Sequence, residues 1–222
     1  FAAAELGRAV AFFPLVGAAL GGLLALASWA LGQVFPAGVS AALLLVIWVI
    51  ATGSLHVDGF LDTCDGLLGG FTPDERLRIM RDERVGGYAL AGGVLLFIVK
   101  YAAVSAAMAA PAAVFLAPVL GRWAMSAAIV VLPYARSSGL GRAMKDHAGR
   151  GQLLVATLTA GLLSAAAGWP GLAALTLAAV ILWLAARFIM QRIPGLTGDS
   201  YGAICELVET GVLLLFAAGV WP

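Results

Sequence analysis

Three aspartates mark the part of this sequence best suited to chemistry. In the stretch His56-Val-Asp58-Gly-Phe-Leu-Asp62-Thr-Cys-Asp65-Gly66 they stand at i, i+4 and i+7. If the apolar run before them continues as a helix, all three carboxylates share one face. Like charges so close repel each other, and a divalent cation turns that repulsion into attraction. Hard oxygen donors suit Mg²⁺, with Mn²⁺ as the second choice. The bland reading, a solvated helix end, fits less well because the acids sit at the lip of an apolar segment. Asp58, Asp62 and Asp65 are therefore the predicted metal ligands and, with His56, the predicted catalytic residues.

Gly66, Gly69 and Gly70 follow, then Thr72-Pro73-Asp74-Glu75, which has the cap, first-turn proline and third-position acid of a helix start. The spacing predicts a short basic helix that carries Arg76, Arg78, Arg81 and Arg84 and stops at Gly86-Gly87. Guanidinium forks grip phosphate oxygens in pairs, and nearby glycines let backbone N–H groups approach the same anion. The competing role is an interfacial helix on anionic lipid headgroups. Two further polar clusters are Tyr134-Ala-Arg136 through Arg142, Lys145 and His147, and Gly195-Leu-Thr197-Gly198-Asp199 with Glu206 and Glu209 beyond. Either reads equally as plain loop. Acids, arginines and glycine turns together are the inventory for phosphoryl transfer.

The elements that carry these residues are apolar. Hydrophobic residues make up 62% of the 222-residue chain and charged residues 11%, against roughly 25% charged in soluble domains, so the bilayer is the expected solvent. Seven stretches suit membrane-spanning helices: 9–31, 39–55, 88–110, 112–133, 153–168, 171–190 and 203–221. The second, fifth and seventh are short or polar-tipped, so the prediction is six or seven transmembrane helices and one short amphipathic helix. The fold class is an all-α polytopic membrane bundle, read as a single domain over 1–222. Gly17, Gly21 and Gly22 suit close helix contacts in lipid. In the seven-span reading 11 of the 13 Lys and Arg fall on one side, which makes that side cytoplasmic. The segment after Val220 belongs to the other side. All 12 acids lie on or near the basic face as well, and topology alone gives no reason for that. Lys100 and Arg122 are the charges well inside spans, where each needs a partner or a wet cavity. Cys64 and Cys205 show no zinc or disulfide pattern. The first apolar stretch is too long for a signal-peptide core. The net charge of +1 gives no sign of nucleic-acid binding. The start at Phe1 without Met leads us to expect that the natural N-terminus lies upstream.

His56 to Gly70, Arg76 to Gly87 (containing Ile79-Met-Arg-Asp82-Glu-Arg-Val-Gly86), Ala117-Pro-Val-Leu-Gly-Arg-Trp-Ala-Met125, Pro133-Tyr-Ala-Arg136 and Gly195-Leu-Thr-Gly-Asp199 resemble the adenosylcobinamide-GDP ribazoletransferase, or cobalamin synthase, family. The resemblance runs in order along nearly the whole chain. One departure is Glu83, where the family pattern has a small polar residue such as Ser; the family's usual N-terminal segment also looks trimmed. The resemblance implies a Mg²⁺-dependent enzyme of the bacterial inner membrane with its active site on the cytoplasmic face. That enzyme joins adenosylcobinamide-GDP to α-ribazole or its 5′-phosphate and releases GMP. It implies substrate contacts from Gly69, Gly70, Arg76, Arg78, Arg81, Asp82, Arg84, Arg136, Asp199, Glu206 and Glu209, and leaves a homo-oligomer open. Two alternatives stand beside it. A CDP-alcohol phosphotransferase shares Asp-x-x-Asp-Gly, as Asp62 to Gly66, but needs Ala-Arg next, where this chain has Leu67-Leu-Gly-Gly. An ion or proton transporter would use Asp58, Asp62, Glu206 and Glu209, yet transporters place such acids at the midplane.

Overall fold

The apolar stretches fold as helices, because lipid leaves backbone N–H and C=O groups no partner outside their own segment. The computed structural model describes residues 2–219; Phe1 and the end of the chain from Val220, including the tip of the seventh predicted span, lie outside the described residues. In order come α1 (Ala3–Ala9), a 3₁₀ turn (Val10–Phe12), α2 (Phe13–Gly32), α3 (Ala37–Ala51), α4 (Leu55–Gly69), α5 (Pro73–Ile79), α6 (Gly87–Ala107), α7 (Pro111–Val131), α8 (Leu140–His147), α9 (Arg150–Ala166), α10 (Gly168–Met190) and α11 (Gly198–Ala217). Among the described residues, five stretches are long and apolar enough to cross a membrane: 3–32 as one run, α6, α7, α10 and α11. The pair α3 and α4 makes a sixth if counted as one broken span. The remaining predicted span is α9, which has only 17 residues.

α7 is the most enclosed of these spans and α11 the next. α7 packs against α2 and α11, while α4, α6 and α10 gather around α11. Gly17 and Gly21 on α2 face the α7 backbone at Pro118 and Phe115, where a Cβ would collide. Gly22 faces open space, so only two of the three glycines serve helix packing.

Three local expectations change. The second span does not run straight into the aspartates. It stops at Ala51, and α4 leaves at 90°, after a turn in which Gly53 (φ 59°) and Ser54 (φ 59°) are left-handed. The aspartates nevertheless share one helix, α4. The predicted basic helix is also shorter than expected. Thr72 accepts from the Glu75 N–H, and the Glu75 carboxylate from Phe71 N–H, but α5 ends at Ile79. Met80 turns inward and is buried, and Asp82 caps the next turn by accepting from Arg84 N–H. Arg81 and Arg84 therefore stand outside the helix. Finally, the cluster after Tyr134 contains a helix, α8, with Arg142 and Asp146 paired at i, i+4 (2.8 Å).

Candidate active site

The polar loops meet at one end of the bundle. Arg76 donates through Nη1 to the Arg192 carbonyl (3.0 Å). Ala135 N–H and Leu196 C=O, with Leu196 N–H and Pro133 C=O, join the two glycine-bearing loops. Lys145 Nζ donates to Val130 C=O (2.9 Å), tying α8 to the end of α7. Gly7 of α1 lies against His147.

A close crossing joins α4 and α11 at this end. A Cβ on Gly59 would stand 2.7 Å from the Asp199 carbonyl, and one on Gly202 would stand 3.0 Å from the His56 carbonyl. That contact brings Asp58 and Asp62, one turn apart, beside the first turn of α11, where Thr197 caps the helix by accepting from Ser200 N–H. Asp199 sits in that first turn and not in an open loop. It accepts from Arg136 (2.7 Å) and from Thr197 Oγ1 (3.3 Å). Asp62 lies among the charges of Asp58, Asp199 and Arg136. Neither the Asp58 nor the Asp62 carboxylate forms a hydrogen bond or ion pair among the described residues, and Asp58 is exposed.

A cavity of about 510 Å³ opens here, lined on its apolar side by residues such as Phe13, Leu20 and Met125. Its polar side has His56, Asp58, Arg122, Asp199 and Tyr201. The Tyr201 hydroxyl and Arg136 Nε are buried with no protein partner, which leaves two unspent donors at the site. Burial raises the Tyr134 phenol above its ordinary range, so it stays protonated where it stacks on Tyr201 at 6.0 Å.

The predicted site residues separate into groups. Asp58, Asp62, His56, Arg136 and Asp199 come together. Asp65 does not join them as a ligand. It is buried, and its carboxylate accepts from Gly86 N–H (2.6 Å) and Ala89 N–H (2.7 Å), so it caps α6 from outside that helix. Among the described residues no three His, Cys, Asp or Glu are grouped to hold a metal ion. The donor set that could hold one is the unbonded pair Asp58 and Asp62. Such a pair fits Mg²⁺, which commonly takes one or two carboxylates and completes its shell with water and substrate phosphates.

Glu206 and Glu209 also change place. They are closed inside the bundle with Lys100 and Arg122. Lys100 Nζ is 2.7 Å from Glu206 and 2.6 Å from Glu209, and Arg122 pairs with the other Glu209 oxygen. Lys100 also lies 4.4 Å from the Trp48 ring centroid. Neither glutamate lines the cavity. Their i, i+3 spacing inside an apolar span, matched by two intramembrane cations, was the available signal for this core.

Of the arginines, Arg76 is spent on Gly70 C=O and Arg192 C=O, and it fills the space beside Gly70. Gly69 rests on the Tyr88 ring. Arg84 pairs with Asp82 in solvent, which holds that carboxyl well below its usual range. Arg78 and Arg81 are exposed and form no side-chain bond among the described residues.

A family model described as Cobalamin-5-phosphate synthase matches residues 1–217. Adenosylcobinamide-GDP ribazoletransferase from Pseudomonas syringae pv. syringae (strain B728a) is 45% identical over 219 residues, covering 96% of this chain and 89% of that protein. The like-named protein of Desulforamulus reducens is 39% identical over 222 residues, covering 97% and 88%. No solved structure matches this chain.

Proposed function

This chain belongs to the cobalamin-5-phosphate synthase family, and on that premise we propose that it joins adenosylcobinamide-GDP to α-ribazole, or to its 5′-phosphate, and releases GMP. It does so as a multi-pass protein in the inner membrane, with the basic, cavity-bearing end in the cytoplasm. The observation that carries the chemistry is the meeting of the unpaired Asp58 and Asp62 carboxylates with the Arg136–Asp199 pair, of which Asp58 and Asp199 line the cavity.

In the reaction the ribose hydroxyl of α-ribazole attacks the cobinamide-side phosphorus. A new P–O bond forms, the P–O bond to GMP breaks, and the hydroxyl proton passes to a carboxylate of this cluster. Asp58 and Asp62 would hold Mg²⁺. When bound, the ion supplies positive charge to the diphosphate oxygens and eases departure of GMP. Arg78 and Arg81, both unspent, reach out to the same phosphates, and Arg136 keeps the Asp199 carboxylate aimed at the mouth. The apolar wall of Phe13, Leu20 and Met125 suits the benzimidazole of ribazole and keeps bulk water from competing for the phosphorus. A transporter reading has less support, because Glu206 and Glu209, two of its four carboxylates, are already paired with Lys100 and Arg122.

The test is GMP release from adenosylcobinamide-GDP and α-ribazole at graded Mg²⁺. Asp58→Asn and Asp62→Asn should insert normally, lose most turnover and need more Mg²⁺. An unchanged rate and Mg²⁺ midpoint in Asp62→Asn removes the metal from this site.

A further inference from the structure

His56 begins the polar stretch of α4, and among the described residues its one side-chain partner comes from α7. Arg122 Nη2 lies 3.1 Å from His56 Nδ1. A guanidinium carries five donors and no acceptor and stays protonated in proteins. The bond therefore has a single direction: Arg122 donates and Nδ1 accepts. An imidazole that accepts at Nδ1 holds its proton on Nε2. Nε2 has no protein partner among the described residues and is not among the buried orphan atoms, while the ring lines the cavity next to Asp58 and Asp199.

Arg122 is itself held. Its other terminal nitrogen pairs with Glu209, whose second oxygen accepts from Lys100. Arg122 is 5% exposed and Glu209 0%, so the guanidinium meets little water and has little freedom to turn. We propose that Arg122, fixed by Glu209, is a positioning residue that locks His56 as its Nε2–H tautomer, and that His56 gives this hydrogen bond to a phosphate oxygen of the diphosphate substrate and does not take the nucleophile's proton. Diphosphate oxygens are acceptors only, so a neutral N–H donor complements them where an acceptor nitrogen would repel. The proton of the attacking hydroxyl is then left to the carboxylates of the cluster. The donor role rests on the transferase reading above; the tautomer does not.

The chain has two histidines, His56 and His147, so ¹⁵N-histidine-labelled protein in lipid nanodiscs gives two ring systems, and H147Q assigns them. The spectrum, recorded without substrate, should place the His56 proton on Nε2. A proton on Nδ1 overturns the proposal. Removing Arg122 alone would leave Glu209 short of a cation, so the perturbed protein is R122M/E209Q, in which Lys100 and Glu206 remain a neutral pair. It should lose the single tautomer; an unchanged His56 spectrum also overturns the proposal. For the donor role, H56A should lose roughly 10²-fold in kcat, the cost of one transition-state donor. H56Q, whose amide offers N–H but cannot act as a base, should recover most of that loss. An H56Q as slow as H56A, beside an active wild type, sinks the donor role. A wild type that releases no GMP sinks the transferase reading instead, and the tautomer is still decided by the spectrum.

Discussion

Lys100→Met offers the sharpest test of how the bundle tolerates charge. The core holds Lys100 and Arg122 against Glu206 and Glu209, two positive and two negative, summing to zero. Their residual exposures are 3%, 5%, 3% and 0%, so water screens them little. Removing Lys100 leaves two carboxylates to share Arg122, an uncompensated buried charge of −1. Stripping one partner from such a pair costs about 3–5 kcal/mol. That is a large part of the total for a protein stable by about 5–15 kcal/mol. Glu206→Gln should fall at the low end, because Lys100 keeps Glu209. Glu209→Gln should fall at the high end, because both cations lose a carboxylate. The double variant K100M/E206Q is neutral again with Arg122 and Glu209 still paired, so it should cost about 1–3 kcal/mol less than the two singles added. Equilibrium unfolding in mixed micelles, followed by circular dichroism, measures all four. A Lys100→Met cost within about 0.5 kcal/mol of zero, or a double variant additive within that same margin, would show that the four groups are not coupled as drawn.

Asp65→Asn should lose about 1–3 kcal/mol of stability, since the amide NH₂ meets a backbone N–H where a carboxylate oxygen now accepts; the surviving folded protein should keep the wild-type Mg²⁺ midpoint, and a shifted midpoint would return Asp65 to the metal site. Gly59→Ala should force α4 away from the Asp199 backbone, where the new Cβ would stand at 2.7 Å, and cut turnover more than stability; wild-type kinetics would mean that the crossing does not set the site. Cysteines placed at 76 and 142, in a background lacking Cys64 and Cys205, should resist labelling from outside the cell; outside labelling at both positions would reverse the proposed orientation.

Much of the fold was legible because lipid imposes one solution on long apolar runs, and the boundaries of α2, α6, α7 and α10 follow directly from that. The basic residues showed which loops belong together, and the hydrogen bonds from Arg76 to Arg192 and from Arg136 to Asp199 join loops far apart in the chain. The elbow at Gly53-Ser54 was harder to see, since nothing in Ala51-Thr52-Gly53-Ser54 states the angle at which α4 departs. The glutamates were misplaced for a different reason. Glu206 and Glu209 read as rim residues because they follow Asp199 closely, yet each helical residue rises only 1.5 Å, and ten residues carry Glu209 about 15 Å along α11 from Asp199. At that depth a carboxylate needs a cation, and the sequence contained two without assigned partners.

The aspartate triplet shows why a shared face is a weaker signal than it looks. At 1.5 Å per residue, positions i and i+7 are about 10 Å apart along the axis, so Asp58 and Asp65 cannot touch one small ion whose oxygen ligands stand at about 2 Å. Positions i and i+4 are about 6 Å apart, a gap that two flexible carboxylates and an ion between them can close. The spacing therefore allows Asp62 to pair with either Asp58 or Asp65, and the structure decides between them because the Asp65 carboxylate is occupied at the start of α6. A third carboxylate for the site has to come from another segment. Asp199 meets that need only because Gly59 and Gly202 let two helix backbones touch, a contact between residues more than a hundred positions apart. Glycine at both positions was visible in the sequence; that they face each other was not, because nothing in either segment names its partner.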